Sequence, residues 1–145
     1  MKKIISKSKE ETQKLAGELL NDLGERRLVL LQGGLGAGKT TFAQGFLKAI
    51  GAKGPFTSPT FVVMKKYELG KNQIKKIKSI YHLDCYRVEV QDVLEMGWKE
   101  IVRNKGSLIL VEWPENISSI LPAKYVKVKL KNINKNERQI EITKK

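Results

Sequence analysis

The sequence predicts a single α/β domain over residues 1–145, with a mainly parallel sheet that is flanked by helices and extended by antiparallel strands. Three observations favour this fold. Short apolar runs of strand length alternate with longer segments of helical periodicity. One of these runs leads directly into a glycine-rich segment and then a helix. Near the end of the sequence, apolar and polar residues alternate around a polar turn, which is typical of two antiparallel strands with one face in water.

The first predicted helix follows Ser8. Ser8 and Glu11 have the spacing of a capping box, which marks a helix start. Apolar residues then recur on one helical stripe until Gly24, which is a stop signal. The stripe consists of Leu15, Ala16, Leu19, Leu20 and Leu23.

The apolar run at residues 28–31 predicts a buried strand. Residues 33–40 (GGLGAGKT) follow it and match the pattern G-x-x-x-x-G-K-[ST] in the required setting of strand, loop and helix. That helix is predicted from Lys39 to Ile50, with Gly51 at its C-terminal cap. The segment is therefore a P-loop, and the predicted fold is a P-loop NTPase domain.

The remaining elements are predicted from apolar runs, alternation and turn residues. The second buried strand ends at Glu112 and is halted by Pro114. In chain order these elements are a hairpin with strands at 61–64 and 77–83 around a turn at 69–72, a helix at 89–102, a buried strand at 108–111, and an antiparallel pair at 125–130 and 139–142.

Composition bounds the class of protein. The chain has 145 residues, of which 41% are hydrophobic, enough for one core. No apolar run approaches the roughly 18 residues that span a bilayer, and the N-terminal segment becomes charged before any signal-type stretch develops. We therefore expect a cytoplasmic protein with no membrane partner. One cysteine, Cys85, excludes an intramolecular disulfide and a thiolate metal cluster.

The net charge of +13 permits contact with polyanions, because the summed potential of the lysines attracts phosphate backbones. The lysines are spread over 65–78 and 124–145 without interleaved aromatic residues, and no RNA-binding pattern accompanies them. Two interpretations stay open: a solvated lysine-rich surface, or a functional basic face.

The P-loop is predicted to bind the phosphates of ATP. Its glycines let successive backbone N–H groups point inward, and the next helix adds its positive end. Lys39 is expected to bridge the β- and γ-phosphates, and Thr40 to place its hydroxyl on Mg²⁺. The residues predicted to hold the cofactor are Gly33, Gly36, Ala37, Gly38, Lys39, Thr40 and Thr41.

A P-loop site also needs an acidic residue at a neighbouring strand end. The sequence offers Glu112 and Asp84, each directly after an apolar run. Both would emerge at the carboxyl edge of a parallel sheet, where open α/β folds bind ligands. We favour Glu112 as the metal ligand and Asp84, catalytic together with Lys39, as the residue that orients the attacking water or supports the metal shell. A carboxylate that only caps a neighbouring helix is the alternative for either.

Four other features are candidates for parts of the site. Residues 57–60 place three hydroxyl groups around a proline and are candidates for a loop that senses the γ-phosphate. For His82 a structural role is favoured over catalysis, and Cys85 is expected only to pack. Trp113 either belongs to the core or covers the nucleotide site.

Four motifs resemble the TsaE (YjeE) family, in the same order and at similar spacing. They are GAGKTT at 36–41, SPT at 58–60, YHLDCYR at 81–87 and VEWPE at 111–115. The similarity extends from about Ser8 to Glu115 and fades over the rest of the chain, where the hairpin around Arg138 still looks similar to the family. One departure is Gly34, where the family commonly has an acidic residue.

The resemblance implies a small P-loop ATPase that associates with the TsaB and TsaD proteins in making N6-threonylcarbamoyladenosine at adenosine 37 of tRNA. The transfer step would belong to TsaD, and this chain would supply a reset driven by ATP turnover, slow when alone. It also implies ATP on the GAGKTT segment, Mg²⁺ on Thr40 and Glu112, and Asp84 as a residue needed for hydrolysis.

Other functions share parts of this pattern. A small nucleotide or metabolite kinase has the same phosphate-binding loop but needs an acceptor pocket and usually a lid with arginines, and the five arginines here form no cluster in the sequence. A GTPase needs an N-K-x-D motif that recognises guanine. Residues 134–137 (NKNE) match it only in part, because Glu137 replaces the aspartate. A nucleic-acid-binding module without ATP turnover would rest on net charge alone.

The first test is Lys39→Ala. Because the amine is expected to bridge two phosphates, its removal should weaken nucleotide binding and abolish hydrolysis. Calorimetry with Mg-ATP and a phosphate-release assay measure the two effects. Unchanged turnover in this variant would refute the assignment of the P-loop.

Overall fold

A computed structural model describes residues 1–57, 63–70 and 76–145 of the chain. Within these residues, seven strands form one sheet that is accompanied by four α-helices and a 3₁₀ segment. The strands are β1 (Lys2–Ser6), β2 (Leu28–Gln32), β3 (Met64–Glu68), β4 (Ser79–Asp84), β5 (Ser107–Glu112), β6 (Val126–Asn132) and β7 (Arg138–Lys144). The helices are α1 (Lys9–Asp22), α2 (Lys39–Ala49), α3 (Val90–Glu95) and α4 (Trp98–Arg103), and the 3₁₀ segment is Pro114–Ile120.

The sheet has the strand order β1-β7-β6-β2-β5-β4-β3. The four central strands, β6, β2, β5 and β4, are parallel. β7 and β1 extend one side of this core in antiparallel fashion, and β3 extends the other. The predicted fold, a mainly parallel sheet with antiparallel additions, is confirmed.

The first two helices pack together on one face of the sheet. The Ser8 side chain caps α1 by accepting a 3.0 Å hydrogen bond from the backbone N–H of Glu11. α2 ends where predicted, and Gly51 follows in the left-handed conformation (φ 89°) with its N–H donated to the carbonyl of Lys48. Buried side chains of both helices meet those of the central strands in one core cluster; from the helices these are mainly Ala16, Leu19, Leu20, Phe42, Phe46 and Leu47.

The opposite face is covered by α3, α4 and the 3₁₀ segment. The sequence predicted one continuous helix at 89–102, and this prediction is wrong. The structure has two helices separated at Gly97, whose left-handed backbone (φ 90°) leaves the helical region. Trp98 can therefore turn into the core, where it is 3% exposed and donates its indole N–H to the carbonyl of Ile120 at 3.1 Å.

The remaining differences are shifted ends of predicted elements and two elements that were not predicted. Pairing of β3 with β4 and of β6 with β7 confirms both predicted antiparallel pairs, although residues 61–62 and the turn residues 71–72 lie outside the described ranges. The sequence reasoning missed β1 and the 3₁₀ segment after Pro114. Among the described residues, no helix is long and apolar enough to span a bilayer.

The close approach of α1 and α2 can be tested at Gly45. A Cβ atom there would lie 2.5 Å from both the Cα and the carbonyl oxygen of Gln13, so Gly45→Ala must push the two helices apart. Overpacking of this kind costs about 1–3 kcal/mol, which exceeds the propensity gain of up to about 1 kcal/mol from replacing a helical glycine. Urea denaturation should therefore give a lower free energy of unfolding.

Gly70→Ala is the matched control. A Cβ at Gly70 would meet no atom within 4 Å, so stability should change by no more than about 0.5 kcal/mol. Equal stability of the two variants would contradict the packing described for α1 and α2.

Candidate phosphate-binding site

The P-loop connects the end of β2 to the start of α2. Gly36 (φ 73°) and Gly38 (φ 103°) both have left-handed backbones, which residues with a side chain rarely adopt. Gly38 occupies the N-cap of α2 and offers no side chain to the first turn of the helix. The free N–H groups of that turn therefore face the loop, an arrangement that favours anions.

Lys39 extends from the first position of α2 back across the loop. Its amine donates hydrogen bonds of 2.7 Å to the carbonyl oxygens of both Gly33 and Gly34. The same amine lies 4.2 Å from the centre of the Trp113 ring, a cation–π distance. Burial lowers the pKa of Lys39, an effect that the carboxylates of Glu112, Glu115 and Asp84 oppose.

Thr40 contacts the first of the two acids. Its hydroxyl lies 3.3 Å from Oε1 of Glu112, to which it donates. Glu112 is 2% exposed, so contacts with other protein groups, and not with solvent, fix the orientation of its carboxylate. Its second oxygen, Oε2, lies 2.7 Å from Nε2 of His82.

Asp84 lies beside Glu112 because β4 and β5 are paired in register there. It is 7% exposed, and its Oδ1 accepts a 3.0 Å hydrogen bond from the backbone N–H of Tyr86. The structure thus brings Lys39, Thr40 and both predicted acids to one edge of the sheet. Buried acids at such a strand edge are suited to bind a cation or to orient a water molecule.

The donor set fits a magnesium ion better than a metal that needs a protein cage. Among the described residues, no group of three or more His, Cys, Asp or Glu side chains could enclose a metal ion. Mg²⁺ uses one or two protein oxygens and takes its other ligands from phosphates and water. The Thr40 hydroxyl and the Glu112 carboxylate, at contact distance, offer that pair of oxygens.

A groove of about 370 Å³ runs along these residues. Besides Lys39, Thr40, Asp84 and Glu112, it is lined by residues on the P-loop and by aromatic and basic neighbours. These are Leu35, Gly36, Ala37, Gly38, Thr41, Tyr86, Trp113 and Arg138. Gly33 is not among the lining residues; it packs beneath the loop, against β6.

A second groove, of about 500 Å³, adjoins the first and shares Gly38, Thr41 and Arg138 with it. Sequence reasoning did not assign a function to its other lining residues, which come from the start of α1 and from the turn between β6 and β7. They are Lys7, Ser8, Lys9, Glu10, Thr12, Lys135 and Asn136. No local motif marks them, because the fold alone brings these distant segments together.

The other singled-out residues have different environments. Trp113 lies at the groove in a left-handed conformation (φ 58°), with its ring 4.8 Å from that of Tyr86, so it is part of the site wall. Cys85 packs in the core, where burial raises its pKa to about 12. Of the proposed sensor loop, Thr57 accepts a hydrogen bond from Lys65, while Ser58–Thr60 lie outside the described residues.

The fold and this site define the class of the protein: it has a P-loop NTPase domain, with the glycine-rich loop between a central parallel strand and a helix. A family model described as "Threonylcarbamoyl adenosine biosynthesis protein TsaE" matches residues 6–140. The chain belongs to the TsaE family, whose name ties it to the biosynthesis of threonylcarbamoyladenosine in tRNA.

Individual relatives agree with this family. The tRNA threonylcarbamoyladenosine biosynthesis protein TsaE of Nostoc sp. is 37% identical over 147 residues, covering 99% of this chain and 86% of the relative. The protein of the same name from Bacillus subtilis is 35% identical over 116 residues, covering 80% and 68%. The crystal structure of Bacillus subtilis YdiB is similar with a TM-score of 0.77 and 29% identity, covering 99% of this chain and 84% of that one.

Two adjacent glycines provide a matched test of the loop. A Cβ at Gly33 would lie 2.5 Å from the carbonyl oxygen of Leu130 and 3.0 Å from the Cβ of Ala37, whereas one at Gly34 would meet nothing within 4 Å. Gly33→Ala must therefore move the loop away from β6, at a cost of about 1–3 kcal/mol. Expressed in ATP affinity, that is a loss of roughly 5- to 150-fold.

Gly34→Ala should leave ATP affinity within about twofold, because the new methyl group points into open space. Fluorescence titration of both variants with a labelled ATP analogue measures this difference. Equal affinities would contradict the loop geometry. The same open space means that the departure at Gly34 leaves the phosphate-binding backbone intact.

Proposed function

We propose that this chain is a Mg-dependent ATP-binding protein and slow ATPase that supports TsaB and TsaD in the N6-threonylcarbamoyladenosine modification of tRNA. The observation that carries the proposal is the contact of Thr40, at the end of the P-loop, with the buried carboxylate of Glu112. In P-loop proteins this pairing of hydroxyl and acid holds the magnesium ion of a bound nucleotide. Membership of the TsaE family supports a role in threonylcarbamoyladenosine biosynthesis.

Binding of ATP would exchange hydrogen bonds at Lys39. In the structure described here its amine is held by two backbone carbonyl groups of the loop and by the Trp113 ring. Phosphate oxygens would replace these carbonyls, giving charge-assisted hydrogen bonds that are each worth about 1.5–3 kcal/mol. The backbone N–H groups of the loop and of Thr40 and Thr41 would bind the remaining phosphate oxygens.

The magnesium ion would supply neutralisation of the charge that develops on the phosphates. Thr40 and Glu112 are the residues that would hold it. Asp84, beside Glu112 and fixed by the backbone N–H of Tyr86, would orient the attacking water from the same edge. We therefore assign metal binding to Glu112, and catalysis to Lys39 and Asp84.

The nucleoside would extend from the P-loop into the second groove. This groove continues past Gly38 and Thr41 and is lined mainly by polar and charged side chains from α1 and the β6–β7 turn. Its hydroxyl groups on Ser8 and Thr12 already have partners, since Ser8 caps α1 and Thr12 contacts Ser6 of β1. The other polar side chains from these segments, which would contact a ribose or base, are Lys7, Lys9, Glu10, Lys135 and Asn136.

A slow basal rate follows from the arginines of the site. Among the described residues, Arg138 is the arginine that lines the groove. Its guanidinium donates to backbone carbonyls of its own turn, those of Asn134, Lys135 and Glu137, at 2.8–3.4 Å. Because Nη1 of Arg138 is held by its own turn, we infer that a partner protein completes the site.

The kinase alternative has less support. A small kinase needs an acceptor pocket and usually a lid that carries arginines toward the transferred phosphate. Arg26 and Arg27 lie just before β2, at the opposite edge of the sheet, and Arg103 ends α4. Arg87 lies against the Tyr86 ring at 5.4 Å. Among the described arginines only Arg138 lines the groove at the P-loop, so no cluster of arginines converges there.

tRNA enters this proposal through the partner proteins or through a basic face. Side chains that precede four of the strands line a depression of about 600 Å³ at the amino-terminal edge of the parallel sheet. The cationic ones are Arg27, Lys76, Lys78, Lys105 and Lys124. A tRNA bound there would leave the P-loop, at the other edge, open to ATP. We propose a cytoplasmic location, where such a complex would meet its tRNA.

The deciding experiment is ATP hydrolysis by the purified chain with and without TsaB and TsaD. Stimulation by the pair of at least roughly tenfold is expected, because a completed phosphoryl-transfer site gains far more than this. Asp84→Asn should keep ATP affinity and lose the stimulated turnover. Phosphate appearing on a small acceptor in place of water would favour the kinase. An absence of Mg-dependent affinity for ATP, even with the partners present, would end the proposal.

A further inference from the structure

We propose that His82 is a positioning residue for the Glu112 carboxylate and thereby sets the affinity of the site for magnesium. This inference rests on the proposed function, because it concerns the metal that accompanies ATP. The sequence favoured a merely structural role for His82. The contact that changes this interpretation is the 2.7 Å distance between its Nε2 and Oε2 of Glu112.

The contact is fully enclosed. The side chains of His82 and Glu112 are 2% and 3% exposed, and each belongs to a central parallel strand. His82 and Asp84 are two residues apart on β4, so both project from the same face of the sheet as Glu112, the partner of Asp84 on β5. Because water is excluded, the histidine is the partner that satisfies this oxygen of the buried acid.

The hydrogen-bond partners indicate which nitrogen carries the proton. Among the residues that the structure describes, Nδ1 of His82 is buried without a hydrogen-bond partner. A buried N–H group without an acceptor is costly, whereas Nε2 faces a carboxylate, which only accepts. The proton therefore lies on Nε2, and His82 donates its Nε2–H to Oε2 of Glu112.

This bond fixes where the other oxygen points. With Oε2 held by His82, the carboxylate cannot rotate freely, and Oε1 is left facing the Thr40 hydroxyl at 3.3 Å. Oε1 is thus presented toward the oxygen that would share the metal before any metal arrives. A residue that hydrogen-bonds to a metal ligand typically raises the affinity of the site for the metal by roughly 10- to 100-fold. The same bond withholds Oε2 from the attacking water, which leaves Asp84 for that task.

Two amides of different length give a matched test. In His82→Gln the amide nitrogen can occupy nearly the place of Nε2, so the donor is kept. In His82→Asn the same group is one bond shorter and cannot reach Oε2. Both substitutions introduce the same amide group into the buried position, so the two variants differ in the reach of that group.

The measurement is a Mg²⁺ titration of ATP affinity for the full chain, followed by fluorescence of a labelled ATP analogue. His82→Asn should raise the half-saturating Mg²⁺ concentration by roughly 10- to 100-fold, and His82→Gln should restore it to within about fivefold of the unmodified chain. Affinity for the nucleotide in EDTA should stay within about threefold in both variants, because the P-loop and Lys39 are untouched. Melting temperatures without ligand report on folding separately.

Each outcome has one meaning. Rescue by Gln but not by Asn, with an unchanged affinity in EDTA, supports the positioning role. Equal Mg²⁺ dependence in the two variants overturns it, as does a parallel loss of affinity with and without magnesium, which would mark His82 as a packing residue only. If the unmodified chain itself has no Mg-dependent affinity for ATP, the proposed function fails, and that result is distinct from failure of the His82 inference.

Discussion

Parallel strands that end in register place both acids of this site beside its P-loop. β4 pairs with β5 so that Asp84 lies opposite Glu112, and β2 pairs with β5 so that Leu31, just before the P-loop, also lies opposite Glu112. The loop and both acids therefore leave the sheet at one edge. A slip of one residue between β2 and β5 would turn Glu112 to the other face and separate it from Thr40. The proposed magnesium and phosphate contacts therefore depend on the register of the hydrogen-bonded strands.

The charge balance of the groove explains why a metal ion belongs to the proposed mechanism. The charged side chains that line it are two bases, Lys39 and Arg138, and two acids, Asp84 and Glu112. Such a groove has no excess of positive charge to receive a triphosphate, and burial already lowers the pKa of Lys39. Backbone N–H groups offer partial charges only. A divalent cation between the acid and the phosphates supplies the missing charge, so nucleotide and metal would bind as a unit.

The sequence predicted the parts of this molecule that local patterns determine. The P-loop, both helices of the first face and the strand ends at Asp84 and Glu112 follow from apolar runs, caps and turn residues within a few positions. It did not predict the break at Gly97, because a single glycine inside an amphipathic pattern reads equally well as a tolerated helical residue. Nor did it find the His82–Glu112 bond, since its partners lie 30 residues apart and meet only through strand pairing.

The two edges of the sheet have opposite electrostatic character, and this separates two tasks of the proposed complex. Buried acids and one amine lie at the carboxyl edge, whereas Arg27 and four lysines line the depression at the amino edge. Across described residues 1–57, 63–70 and 76–145, no salt bridge neutralises these five cations. Glu25 lines the same depression, so five cations face one acid there, and the Debye length of about 8 Å at physiological salt confines their attraction for phosphates to their own edge. A polyanion held at the amino edge would therefore not compete with ATP at the other.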